Sequence, residues 1–321
     1  VRERRDVAET DMDNSKGNPA DPPDGVVVGG VDWSPASRNA AQWAAAEAAC
    51  RKATLLLVHA YMLPAAEPES HQSDGATTAS HIRGEHLLAD IAMQVGGSHP
   101  GVPVTTRLVH GDAVTALREA SAGARLTVVG SPGAGRVSDV VLGSVAMTIA
   151  SNNPAPVAVV PARRPGEGRG AVVVGVDDSP TSDPALAFAF DQAAVWGASL
   201  IAVHSWNDVR VDAAVPVHDM IIDKDAIDSD IQAELAARLR VWQGRFPDVA
   251  VRRTVVRGRP APSLLHFAPG ARLIVVGSRG RGPFTGLLLG STGHALVANA
   301  SCPVVIVRHP AGSAAPPPAR D

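Results

Sequence analysis

Leu273-Ile274-Val275-Val276-Gly277-Ser278-Arg279-Gly280, followed after nine residues by Gly290-Ser291-Thr292, is the stretch whose reading decides the rest. An apolar run of β-forming residues ends in a glycine turn, and a helix-like segment from Gly293 to Ala300 takes over. Strand, glycine turn and helix start are the parts of a phosphate cradle. Glycine lets backbone N–H groups come close to an anion, and a helix N-terminus adds unpaired donors with a partial positive charge. Ser291 suits a helix start, because its hydroxyl can cap the helix or bind a phosphate oxygen. The same pattern occurs earlier. Leu126-Thr127-Val128-Val129 leads into Gly130-Ser131-Pro132-Gly133, and Gly143-Ser144 follows after nine residues. One such turn is weak evidence, but two with the same spacing, each after a strand, are much stronger.

Other landmarks repeat as well. Gly30-Val31-Asp32-Trp33-Ser34-Pro35 returns 145 residues later as Gly175-Val176-Asp177-Asp178-Ser179-Pro180. Leu55 to Tyr61 returns at the same offset as Leu200 to Trp206, whereas the glycine turns, and Pro156-Val157 with Pro303-Val304, return at 147. The slip falls between the second and third strands, where the variable loops 62–79 and 207–227 lie. The chain is therefore read as a tandem duplication. A first domain covers 25–161, a linker 162–169 and a second domain 170–308, with disordered tails at 1–24 and 309–321. Strands alternate with helices in each half: expected strands include Leu55–Ala60, Val102–Val109 and Val157–Val160, and an expected helix runs from His81 to Val95. This is the pattern of a parallel, doubly wound, Rossmann-like α/β sheet. Asp32, Val58 and Gly130, and likewise Asp177, Val203 and Gly277, fall at the carboxyl ends of strands, where such sheets bind ligands.

Composition narrows the class. The chain has 321 residues, 45% hydrophobic but only 3% aromatic, so its core must be built from Val, Ala, Leu and Ile. A net charge of -3 argues against a general nucleic-acid binder. Cys50 and Cys302 have neither metal-ligand nor disulfide-framework spacing. No apolar run is long enough to span a bilayer, and the polar N-terminal segment does not read as a secretory signal. A cytoplasmic protein is expected.

Taken together, the Gly-Val-Asp-x-Ser-Pro turns, Leu57-Val58-His59-Ala60 and the Gly-x2-Gly-x9-Gly-Ser motifs resemble the universal stress protein family, in its two-domain, ATP-binding form. The resemblance covers about residues 25 to 308. It implies a five-stranded parallel sheet flanked by helices in each half, and one ATP per half. Gly30, Asp32, Gly175 and Asp177 would sit near the adenosine, with Val58 and Val203 offering backbone groups to the adenine edge. Gly130, Ser131, Gly133, Gly135 and Arg136 would line ribose and phosphates in the first half, as Gly277, Ser278, Arg279, Gly280, Arg281 and Gly282 would in the second. Gly143, Ser144 and Val145, and Gly290, Ser291 and Thr292, would meet the phosphates. A divalent cation, magnesium or manganese, would be held mainly by the ATP itself. The resemblance also implies pairing of the fifth strands, Val157–Val160 against Val304–Val307, as a pseudo-dimer within the chain. A protein partner and further homodimerisation are left open.

The halves differ. Pro132 and Ala134 stand where the second loop has Arg279 and Arg281, and Val145 stands where it has Thr292. Gly29 is expected to loosen the first strand. The second site is therefore expected to bind more tightly. An ATP-binding regulatory protein is the leading reading, and a slow ATPase or nucleotidyl-transfer enzyme the alternative. Against the latter, no Gly-x4-Gly-Lys-Ser/Thr motif occurs. Ser34 and Ser179 read as helix caps, Asp112 as a turn or cap residue, His59 and His204 as packed or hydrogen-bonded. Trp33, Trp206 and Trp242 read as packing residues, and the acidic run 223–230 as a solvated helix start.

Overall fold

The computed structural model describes residues 25–62, 73–131, 143–162, 170–177, 182–206, 224–279 and 289–308. The first half runs β1 (Val26–Gly30), α1 (Pro35–Arg51), β2 (Thr54–Tyr61), α2 (Ser73–Ser98), β3 (Val104–His110), α3 (Ala113–Ala120), β4 (Leu126–Ser131), α4 (Ser144–Asn152) and β5 (Val157–Pro161). The second repeats it as β6 (Ala171–Val176), α5 (Ser182–Trp196), β7 (Leu200–Trp206), α6 (Lys224–Arg245), β8 (Val251–Arg257), α7 (Pro260–Phe267), β9 (Ala271–Gly277), α8 (Ser291–Asn299) and β10 (Val304–Val307). The tails and the expected linker lie largely or wholly outside the described residues.

Ten strands form one sheet in the order β3-β2-β1-β4-β5-β10-β9-β6-β7-β8. Strands are parallel within each half. At the centre β5 and β10 are antiparallel, with Val304 opposite Val159 and Ile306 opposite Val157. The expected pseudo-dimer is thus a single continuous sheet. Antiparallel pairing at the seam sets the carboxyl ends of one half's strands beside the amino ends of the other's. The two glycine turns therefore sit on opposite edges.

Strand alternation explains the two layers. Val27, Ala158, Val160, Val305 and Val307 face one side, under α1, α2, α5 and α6. Val26, Val28, Val157, Val159, Val304 and Ile306 face the other, under α3, α4, α7 and α8. With few aromatics, close helix approach substitutes for bulk. Ala40, Ala41, Ala44, Ala45 and Ala48 of α1 are all fully buried. Gly29 belongs to this packing and does not loosen β1. It pairs with Leu57 on one side and Val128 on the other, and a Cβ there would lie 3.2 Å from the Leu57 side chain.

Several expectations are corrected. Helix α2 begins at Ser73, inside the expected loop. The loop's prolines, Pro64 and Pro68, precede that point, and none interrupts the run to Ser98. Strand β3 begins at Val104, because Pro103 has no N–H for the ladder and contributes only its carbonyl, to Leu55 N. Trp33 does not pack: it lies in the β1–α1 turn and is 58% exposed. Asp228, in the acidic run, is no solvated charge. It accepts from Trp206 Nε1 at 2.7 Å and from Arg257 at 2.8 Å.

The cysteines give a direct check of the packing. Cys50 is exposed, while Cys302 is buried and its thiol pKa is pushed up to about 12 by loss of water. Since the thiolate is the reactive form, a thiol reagent near neutral pH should titrate one thiol in the folded chain and two in denaturant. Two fast-reacting thiols in the folded chain would contradict this placement of β10.

Candidate functional site

In the second half the chain leaves β6 toward β7 and β8 on one side and returns through β9 and β10 on the other. The crevice between the carboxyl ends of β6 and β9 is therefore the point where strand order reverses. Asp177 directly follows β6 there, and Gly277 ends β9. Ser278 is buried and clamps the base of the glycine loop. Its N–H donates to Val307 O at 2.8 Å, and its carbonyl accepts from Gly290 N at 2.9 Å. The start of α8 is thereby tied to the end of β9. Gly290 is the N-cap of α8 and offers no side-chain cap, so Ser291 occupies the first helical position and does not cap the helix as its sequence suggests. Among the described residues no side chain accepts from the first-turn amides, which suit an anion. Thr292 follows, half-buried.

Asp177 is fixed by a residue the sequence reading did not single out. Its N–H donates to Ser182 Oγ at 2.9 Å, and that hydroxyl donates to Asp177 Oδ1 at 2.7 Å. Arg238 of α6 donates to the Asp177 carbonyl at 2.6 Å and pairs with Asp183 at 2.7 Å. Val203 lies on β7 beside Gly175. Gly175 has no room for a side chain, since a Cβ would meet Leu264 at 2.9 Å. Gly280, Arg281 and Gly282 lie outside the described residues.

The first half repeats this geometry between β1 and β4. Asp32 N donates to Ser37 Oγ at 3.1 Å, and Ser37 Oγ lies 2.7 Å from the Asp32 carbonyl. Asp32 Oδ1 accepts from Ser34 N at 2.9 Å. Ser34 caps α1 as expected. Loss of water opposes the charge on Asp32, but hydrogen bonds from Ser34 and Ser37, with His59 nearby, outweigh it and hold the carboxyl below the usual carboxylate range. Val58 is buried and its carbonyl accepts from Val31 N at 2.9 Å, so a ligand would share that oxygen. Gly30 abuts Leu117 and Val129. At Gly130 the close approach is to the chain itself, the backbone of Ala36 and Ser37. Ser131 is buried at the end of β4. Gly143 caps α4 without a side-chain bond, followed by Ser144 and Val145. Gly133, Gly135 and Arg136 lie outside the described residues.

The missed partners, Ser37 and Ser182, did carry a signal. Each stands five residues after its aspartate, in both copies. The missed Arg238 did not, because its contact depends on how α6 lies on the sheet. In the first half the corresponding helices carry the pair with its charges exchanged, Arg38 on α1 with Asp90 on α2. Only the second site therefore gains a cation at that position.

His59 is buried, with Nδ1 donating to Val31 O at 2.8 Å. His204 lines a cleft with Val176, Ile231, Glu234, Leu235 and Arg238. Burial lowers its pKa below the ordinary 6.5. Asp177 and Glu234 resist this, and Arg238 adds to it. The folded chain thus binds this proton less readily than the unfolded one. The associated stability is whole above the unfolded pKa and is lost as pH falls through the lower folded value. His204→Gln should lose less stability than the parent between about pH 6.5 and pH 5. Urea titrations at the two pH values check this, and equal losses would remove His204 from the acid response.

A duplicated α/β fold, with a helix start that has no side-chain cap beside each switch point, defines a tandem α/β domain protein. Residues 25–161 and 169–308 each match the universal stress protein family, and the chain belongs to that family. It is 36% identical over 309 residues to universal stress protein Rv1996 of Mycobacterium tuberculosis, covering 91% of this chain and 97% of the relative. It is 38% identical over 291 residues to universal stress protein Rv2005c of the same organism, covering 88% and 97%. Among solved structures, a universal stress protein from Archaeoglobus fulgidus superposes with a TM-score of 0.70 at 20% identity, covering 89% of this chain and 99% of that one. That likeness concerns the fold.

Proposed function

We propose that each half binds one ATP, and that the protein is regulatory, acting in the stress response through conformational change or a partner. The observation that carries this is the start of α8. Among the described residues its first turn has no side-chain cap, and Gly290 ties it to the end of β9, in the same crevice as Asp177. Phosphate oxygens supply the missing acceptors, and a carboxylate can accept from ribose hydroxyls. Among the described residues, no group of three His, Cys, Asp or Glu side chains could hold a metal ion. Magnesium or manganese is therefore expected to be held mainly by the phosphates. Among the described residues no helix is long and apolar enough to cross a membrane.

ATP with magnesium or manganese should raise the melting temperature with ligand concentration. A ligand at 100 times its Kd stabilises by about 2.7 kcal/mol. No shift at millimolar ATP overturns the reading. Turnover should fall well below the roughly 1–1000 per second of ordinary enzymes. A rate inside that range, abolished by a site substitution, would make the protein an ATPase.

A further inference from the structure

The antiparallel seam brings the amino-end side of the first half against the binding side of the second. Helices α3 and α4 run back toward the amino ends of β4 and β5. Their last turns, with Arg118 and Asn152, therefore lie on the edge where α8 begins. The same face of the sheet carries α3, α4, α7 and α8. From the second half, Arg308 directly follows β10 and donates to Asn152 Oδ1 at 3.2 Å across the seam. Arg279 follows Ser278, whose N–H is bonded to Val307 O, so Arg279 and Arg308 emerge side by side. Ser278 O in turn holds Gly290, the residue before Ser291.

We propose that Arg118, Arg279 and Arg308 form an anion site across the seam, taking a polyphosphate group. On the nucleotide reading above, on which this assignment of the ligand rests, that group is the terminal phosphates of the triphosphate in the second half. Three guanidiniums brought together across a domain seam repel one another, and an anion relieves that repulsion. Partial burial, Arg279 and Arg118 all press Arg308 toward losing its proton, and none of its described partners is acidic. The quasi-equivalent positions 147 residues away differ. Arg118 corresponds to Leu265, Arg279 to Pro132 and Arg308 to Pro161, while Asn152 corresponds to Asn299. The three arginines thus have no arginine counterparts on the other edge, and the device makes the first half a contributor to the second half's site.

The test is calorimetric titration of the full chain with ATP and with AMP, in magnesium, for the parent, Arg118→Gln and Arg308→Gln. Arg118 is exposed on α3, and its replacement should leave the fold intact, which thermal melting checks. Arg118→Gln should weaken the tighter ATP event roughly three- to tenfold, with a shallower salt dependence, and leave AMP unchanged. ATP binding equal to the parent, or an equal loss for ATP and AMP, overturns the proposal. If the parent binds no adenine nucleotide, the ATP reading fails by itself. The arginine site is then decided with inorganic tripolyphosphate: binding lost in Arg118→Gln upholds it, and no binding to the parent overturns it.

Discussion

Arg51→Ala is expected to lower the stability of the folded chain by about 3–5 kcal/mol. Arg51 ends α1 and is almost wholly buried, where it bonds Glu47 one turn earlier on the same helix. It also reaches α5 of the other half, donating to Asp191 at 2.7 Å and to Gln192 Oε1 at 2.6 Å. Gln192 returns a bond to Glu47 Oε2 at 2.7 Å. Glu47 and Gln192 are both fully buried. They occupy equivalent positions, 145 residues apart, and meet near the pseudo-two-fold axis. Two glutamates there would repel, and the duplicated chain has one acid and one amide. Removing Arg51 leaves the Glu47 charge buried with only a neutral partner, and a buried unpaired charge is what makes such deletions costly. Glu47→Gln in the Arg51→Ala background should recover part of the loss, since the stranded charge is then gone. Urea unfolding of the parent, single and double variants measures both effects. A loss below about 1 kcal/mol for Arg51→Ala would mean that the network is well hydrated and holds nothing at the seam.

That network also marks where reading the sequence stops. Duplication, the alternation of strands and helices, and the strand ends that carry the crevice follow from short-range signals: apolar runs, glycine turns, and Pro156-Val157 mirrored by Pro303-Val304. Even the seam was legible, through the family resemblance. Glu47, by contrast, looks in sequence like any charge on an alanine-rich helix. Its burial is decided by helix α5, over a hundred residues away. Trp33 fails the other way. Tryptophan usually packs, but the residue after Asp32 points out of a turn whose geometry Ser34 and Ser37 set. Arg118, Asn152 and Arg308 come from three segments with no shared motif, and only the antiparallel β5–β10 pairing brings them to one edge. The family resemblance puts Gly30 and Gly175 near the adenosine. The structure adds a packing reason for them, the side chains of α3 and α7 set against them.

Gly130→Ala carries this last point to an experiment. A Cβ at this position would lie 2.6 Å from the Ala36 carbonyl carbon, 2.7 Å from its oxygen and 2.8 Å from Ser37 N. These are backbone atoms in the first turn of α1, so no side chain can rotate away, and the helix start must move. Overpacking of this kind typically costs about 1–3 kcal/mol. The displacement has a direction that matters for function. Ser37 Oγ bonds both the N–H and the carbonyl of Asp32, so a shifted first turn carries Asp32 with it. The variant should therefore lose stability and, on the nucleotide reading, lose the binding event of the first half while keeping that of the second. Gly96→Ala is the control. It lies within α2 with open space around its Cβ position, and should be neutral or raise stability by up to about 1 kcal/mol. Unfolding measurements on both variants, with nucleotide titration of Gly130→Ala, give the answer. If Gly130→Ala is as stable as the parent and retains both binding events, then α1 accommodates the methyl group, and the glycine is there for the ligand alone.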